Sequence, residues 1–386
     1  MNAFLYANLK ITGKISVVKH ASSFPDRYVK VILLMGFSGS GKSSFINALS
    51  GGSLSTMTSD GLDEHTLDFT FYQLSNVTTQ AGQEIWLIDS PGFADNKISE
   101  AEIIRNLKRW LKQKEQRIHW VLYLMPIINT RLRGSQRMTI DTFKAVTGVQ
   151  TARQVTIATT MWNHLYQQDA KRKAEMTFTA LKGGAWKDFT AQGTTIKKFD
   201  NTQEAALRIL NSIVSRDAGT VFSFEKREMF HLGDPYFEGI LRDLEIRVQH
   251  LYCQVHFLRR TIKESVNDGD TQLLLILEKI MEEAQKDLWR LSHQLVGLYK
   301  MTLHDHIQQE KHLNACLSAM GPYMEYSGHP SLLRAQLENL RLDMETVKQK
   351  IAELHDMVIP SGSTASQKSS VLKRRVKAKL NRMLRQ

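Results

Sequence analysis

Apolar residues keep two different rhythms along this chain, and the change of rhythm divides it. Up to about residue 220 they gather in short runs rich in β-branched and aromatic groups, at 31–35, 67–74, 84–89, 119–125, 154–160 and 195–199. Runs of that length and composition predict strands. Between them, helical spacing marks 43–49, 99–112, 135–147, 170–182 and 202–214. Ser99 and Glu102 make a capping box for the second of these, and Gly51, Gly52 and Gly148 provide stops. Strands alternating with helices predict an α/β fold with a largely parallel sheet, which presents ligands at the carboxyl ends of its strands. Residues 4–19 alternate only roughly and predict either an extra strand or a loose extension.

From about Glu225 strand signals vanish and a 3-4 spacing takes over. Leu241, Leu244, Val248, Leu251, Val255, Leu258 and Ile262 form one series. Leu277, Met281, Ala284, Leu288, Leu291, Leu295 and Leu298 form a second, and Leu333 through Val358 a third, with breaks near Asn267 to Asp270 and Gly328 to Pro330. Each series puts a narrow apolar seam on a helix, and the seam demands another helix. An antiparallel bundle within the chain or a coiled coil shared between chains would meet that demand, and the short breaks favour the bundle. The expected plan is an N-terminal extension (1–27), an α/β domain (28–220), an elongated helical, coiled-coil-like domain (225–359), and a linker with a tail (360–386).

Charge sharpens the reading of the tail. The chain carries a formal +12, yet eight Lys and Arg and no acid fall in its last nineteen residues, and without them +4 remains. That concentration argues against nucleic acid as a partner of the folded part. Val371, Leu372, Val376, Leu380, Met383 and Leu384 lie among the cations, so a helix here would be basic on one side and apolar on the other. It would suit an anionic membrane surface or an acidic groove; the alternative is a solvated tail. Two distant cysteines, no secretory leader and no run long enough to span a bilayer lead to the expectation of a cytoplasmic protein, peripheral at a membrane at most. The histidines of the helical half show no ligand spacing and read as helix-surface residues.

The chemistry concentrates where the first apolar run ends. Gly36, Gly41, Lys42 and Ser43 fit the phosphate-loop spacing, with a strand before and a helix after. Backbone N–H groups of Ser38, Gly39, Ser40, Gly41 and Ser44 would surround phosphate oxygens, Lys42 would reach the β- and γ-phosphates, and the Ser43 hydroxyl would ligate Mg2+. Asp89 closes the run 84–89 and stands three residues before Gly92: the carboxylate would hold Mg2+, and the Gly92 N–H a γ-phosphate oxygen. In the polar stretch 53–66, Thr58 is the candidate γ-phosphate and Mg2+ sensor, with Thr56 equally able to ligate.

These residues, together with Asp89 to Phe93, Ile127 to Ser135, Thr159 to Asn163 and Phe199 to Thr202, resemble the septin and immunity-associated branch of the P-loop GTPases, closest to the GTPase-domain proteins abundant in mushroom-forming fungi. The resemblance covers about the first 220 residues. It implies GTP/GDP and Mg2+ as ligands, Thr58 as the switch threonine, Asn163 at the base-reading position, and Asn201 in the loop packing on the base. It also implies pairing of two GTPase domains, with Arg131 and Arg133 as cations to offer; either reads equally as surface charge. Asn163 departs from the usual aspartate. An amide offers one acceptor where guanine presents two donors, which either weakens guanine preference or is simply tolerated. Phe93 stands where Ras-like enzymes place a water-orienting glutamine, so unaided hydrolysis should be slow. A scaffold that binds nucleotide without hydrolysing it, and an ATP-using protein, are the competing expectations.

Overall fold

A computed structural model describes residues 6–20, 29–53, 68–95, 97–114, 117–128, 134–216, 218–226, 236–268, 271–319 and 329–358. Thr56, Thr58, Arg131, Arg133 and the basic tail lie outside these residues. The chain divides into two compact units, Met1–Leu244 and Glu245–Gln386.

The first unit is built on a seven-stranded sheet: β1 (Leu9–His20), β2 (Val29–Gly36), β3 (Thr70–Thr79), β4 (Glu84–Asp89), β5 (Trp120–Pro126), β6 (Val155–Thr160) and β7 (Thr195–Lys198), in the order β1-β3-β4-β2-β5-β6-β7. Strands β4, β2, β5, β6 and β7 run parallel, whereas β3 pairs antiparallel with both β4 and β1. The ambiguous N-terminal alternation is thus a strand at the sheet's edge. The expected boundaries at 27/28 and 220/225 fall inside this first unit.

β2 is central because both of its faces are apolar. Residues 31–35 are essentially fully buried, as parallel strands covered by helices on both sides require. Ile32 and Leu34 share a core with Phe45, Ile46 and Leu49 of α1 (Lys42–Leu49) and Leu207, Leu210 and Ile213 of α6 (Gln203–Val214). The opposite face holds an aromatic cluster: Tyr123 of β5 meets Phe143 of α3 (Gly134–Thr147) at 4.5 Å and Trp186 at 5.2 Å between ring centroids. On that side Phe71 also stacks on Trp110 of α2 (Glu100–Lys114). The remaining helices of the unit are α4 (Gln168–Gly183), α5 (Lys187–Ala191) and α7 (Ser223–Lys226), whose Phe222 and Phe224 neighbourhood is buried.

The second unit is helical. It takes in α8 (Phe237–Asp268) from Glu245 onward, α9 (Thr271–Ala319, 49 residues) and α10 (His329–Val358). The seams expected from the 3-4 spacing are buried: Val248, Leu251, Val255 and Leu258; Ala284, Leu288, Leu291, Leu295 and Leu298; Leu337, Leu340, Met344, Val347, Ile351 and Leu354. Arg341 binds Glu310 at 2.9 Å, while Lys350, further along α10, reaches Glu245 at 2.8 Å beside Tyr299, so α9 and α10 run antiparallel. His306 departs from the surface placement expected of the histidines: it is buried. No cluster of three potential metal ligands occurs among the described residues, and no described helix is long and apolar enough to cross a membrane.

Candidate functional site

The site forms where β2 runs out. A Cβ at Gly36 would lie 2.2 Å from the Leu124 carbonyl oxygen and 2.7 Å from Ser40 Oγ, so only glycine lets the chain leave the strand here. Gly41, at φ +95°, starts α1 from a left-handed conformation. The turn between them is pinned from outside by Thr160, at the end of β6, whose Oγ1 donates to the Ser40 carbonyl at 2.8 Å. The result is a cleft of about 400 Å³ at the carboxyl ends of the parallel strands.

Of the residues expected to bind nucleotide, Ser38, Gly39, Ser40, Gly41, Lys42, Ser43, Ser44, Gly92, Asn163 and Asn201 all line this one cleft. Gly36 lies at its root. Asp89 is buried just behind Ser43, whose Oγ donates to Asp89 Oδ2 at 2.9 Å. Positions separated by more than 150 residues are brought together because the loops after β2, β4, β6 and β7 leave the same edge of the sheet. Asn163 belongs to a short turn, Trp162–His164, that follows Met161 in the left-handed region. The Trp162 indole N–H bonds back to Thr159, and Lys198 lies 4.5 Å over the same ring while pairing with Glu175. Asn201 is itself left-handed (φ +66°), between Asp200, which accepts from Thr202 Oγ1, and Thr202, which caps α6.

Electrostatically the cleft holds one buried cation between carboxylates. Lys42 Nζ donates to the Phe37 carbonyl at 3.1 Å. Burial pushes its pKa down, and Asp89 and Asp95 push it back up. Burial likewise raises the Asp89 pKa, opposed by Lys42 and the Ser43 hydroxyl. Asp89 Oδ1 and Ser40 Oγ are buried without a hydrogen-bond partner. Buried polar atoms are nearly always satisfied, so the unpaired Asp89 Oδ1, on the carboxylate that Ser43 Oγ bonds, fits a site for a hard cation. A hydroxyl and a carboxylate oxygen are the donor set Mg2+ takes.

The segment after β4 is stitched to the loop. Phe93 N–H donates to the Gly36 carbonyl and Ser38 N–H to the Phe93 carbonyl, each at 2.9 Å. Gly92 makes this approach possible, since a Cβ there would meet Ser38 Cα at 2.4 Å. Sequence reasoning missed Asp95, Thr160 and His164, which also line the cleft. Asp95 had no signal beyond its place just past a motif, and Thr160, though inside the stretch Thr159 to Asn163, had none for its bond to a residue 120 positions away.

The AIG1 family model matches residues 30–229. Among solved structures, Toc33 from Arabidopsis thaliana in complex with GDP and Mg2+ is similar at 16% identity and a TM-score of 0.37, over 49% of this chain and 84% of that one. The LeoA bacterial dynamin GTPase from ETEC is similar at 13% identity and a TM-score of 0.32, over 93% and 80% of the two chains. No curated protein matches.

Proposed function

The chain belongs to the AIG1 family, and from that premise we propose that it binds GTP and GDP with Mg2+ and hydrolyses GTP slowly. The observation that carries the proposal is the exposed Ser43 hydroxyl donating to Asp89, which is buried behind it with Oδ1 unsatisfied, beside the buried Lys42. Lys42, held in place by the Phe37 carbonyl, faces the β- and γ-phosphates; the backbone of residues 39–44 cradles them. Ser43 and Asp89 would hold Mg2+, and Thr58 would complete the set on nucleotide binding. Mg2+ would supply charge neutralisation at the phosphate oxygens. Asn163 and Asn201, which line the same cleft, would meet the base.

Slow turnover is supported by Phe93, which is fully buried and offers no group to water. We further infer that nucleotide state governs pairing of two GTPase domains, where Arg131 or Arg133 would serve, or docking of the helical half. The motif likeness to septin-type and fungal GTPase-domain proteins is in keeping with such a switch. The test is nucleotide content and turnover of purified protein. Wild type is expected to retain guanine nucleotide and to release phosphate from GTP, and Lys42→Ala to fold but lose binding. A folded Lys42→Ala variant with wild-type affinity refutes the assignment, and GTP binding without phosphate release favours a non-hydrolysing scaffold.

A further inference from the structure

Any hydrolase of this kind must orient a water on the γ-phosphorus, and the residue expected to do so, at position 93, is a phenylalanine. Its ring is wholly buried, and its backbone is held by both bonds to the loop. Ala94 then turns the chain through the left-handed region (φ +55°), so that as Phe93 goes into the core, Asp95 enters the cleft. Resting on the hydrolase reading above, we propose that Asp95 is the water-orienting and proton-accepting residue of this site.

The carboxylate is preorganised. It is 4% exposed. Its Oδ2 accepts from Ser38 Oγ at 3.0 Å and its Oδ1 from the Lys97 N–H at 2.8 Å. The preceding residue is fixed as well, the Ala94 N–H donating to the buried Glu100 carboxylate at 2.7 Å. Asp95 bonds Ser38, whose own N–H is held by the Phe93 carbonyl, so it stands where the segment after β4 meets the loop, the side on which the γ-phosphate is expected. Asparagine, with one acceptor and one donor, could keep the Lys97 bond and only reverse the Ser38 one, so the two hydrogen bonds alone do not require a carboxylate. A negative charge kept here works against binding of the γ-phosphate, a cost that helping to hold Lys42 charged and accepting a proton from water would offset.

The step balances without a further reactant. A lone pair of the water oxygen forms the bond to the γ-phosphorus while Asp95 takes the water proton. The bond from the γ-phosphorus to the bridging oxygen breaks, and its electron pair remains on the β-phosphate. GDP and inorganic phosphate leave, beside Lys42, which neutralises the developing charge.

Single-turnover hydrolysis of GTP by full-length protein tests this. Asp95→Asn, which preserves shape, the Lys97 bond and, with its direction reversed, the Ser38 bond, is expected to slow hydrolysis by about 100-fold or more. Its melting temperature should stay near that of wild type, its GDP affinity within about threefold, and its affinity for a non-hydrolysable GTP analogue should not fall. Ser38→Ala unties the carboxylate without removing it and is expected to slow hydrolysis by about tenfold. Hydrolysis by Asp95→Asn at the wild-type rate, or a rate loss matched by an equal loss of GTP-analogue affinity, overturns the proposal and leaves the hydrolase reading standing. Absence of turnover in wild type overturns both.

Discussion

Gly92→Ala probes how the segment after β4 is joined to the phosphate loop. The new methyl would sit 2.4 Å from Ser38 Cα and 2.5 Å from Ser38 N, atoms of a loop backbone that cannot yield without moving the whole turn. Relief requires the chain at Phe93 to withdraw. That breaks the Phe93 N–H to Gly36 and Ser38 N–H to Phe93 bonds, both 2.9 Å. At about 0.5–1.5 kcal/mol net for each, the ligand-free protein loses about 1–3 kcal/mol. In a unit the size of the first, each kcal/mol lowers the melting temperature by about 2–4 °C. The loop backbone from Gly39 to Ser43 is not touched by the methyl, so GDP affinity should hold within about threefold. The GTP analogue loses a charge-assisted bond from the displaced Gly92 N–H, about 1.5–3 kcal/mol, or about 10- to 100-fold in affinity. Scanning fluorimetry without ligand and titration with fluorescent GDP and GTP analogues read both effects. A melting temperature and a GTP-to-GDP preference equal to wild type would refute the reasoning.

Asn163→Asp restores a second acceptor toward guanine and is expected to raise preference for GTP over ATP and XTP; an unchanged ranking in three-nucleotide competition means this position does not read the base. His119 is half-buried, its Nδ1 accepting from the Val31 N–H at 3.1 Å, and desolvation, with Lys30 and Arg117 nearby, lowers its pKa to about 3. The folded state therefore refuses a proton that the unfolded chain takes below pH 6.5. Stability from this group is full above that pH and is lost by about 1.4 kcal/mol per pH unit on acidification toward pH 3. His119→Gln, which keeps an acceptor, should flatten the urea-unfolding stability between pH 7 and 5 by about 2 kcal/mol relative to wild type, and identical slopes would contradict the argument. The tail from Lys368 to Arg385 is expected to bring reversible binding to anionic vesicles, each cation contributing up to about 1 kcal/mol and the effect fading with salt. Equal cosedimentation of full-length protein and a truncation ending at Pro360 would sink that expectation.

What was legible in the sequence was whatever depends on neighbours along the chain. The run Val31 to Met35, the glycine spacing from Gly36 to Gly41 and the apolar run ending at Asp89 are local facts, and the short-range physics of strands, tight turns and helix starts made their reading possible. The 3-4 seams of the helical half were legible for the same reason: each seam repeats within a single helix, and its burial follows from period alone. The ambiguous alternation at residues 4–19 was not, because an edge strand is stabilised by its partner, and β1 exists through its antiparallel pairing with β3, some sixty residues away. Only the tertiary structure decided what stands in the cleft. Phe93 and Asp95 are two residues apart, yet one is core and the other lines the site, a choice made by the left-handed turn at Ala94 and by bonds to Gly36, Ser38 and Glu100. Thr160 and Ser40, and Ser43 and Asp89, meet because separate loops emerge at one edge of a parallel sheet. Such contacts carry no periodicity, so nothing in the order of residues announces them, and they form only when burial of the strands' two apolar faces has fixed which loop ends lie side by side.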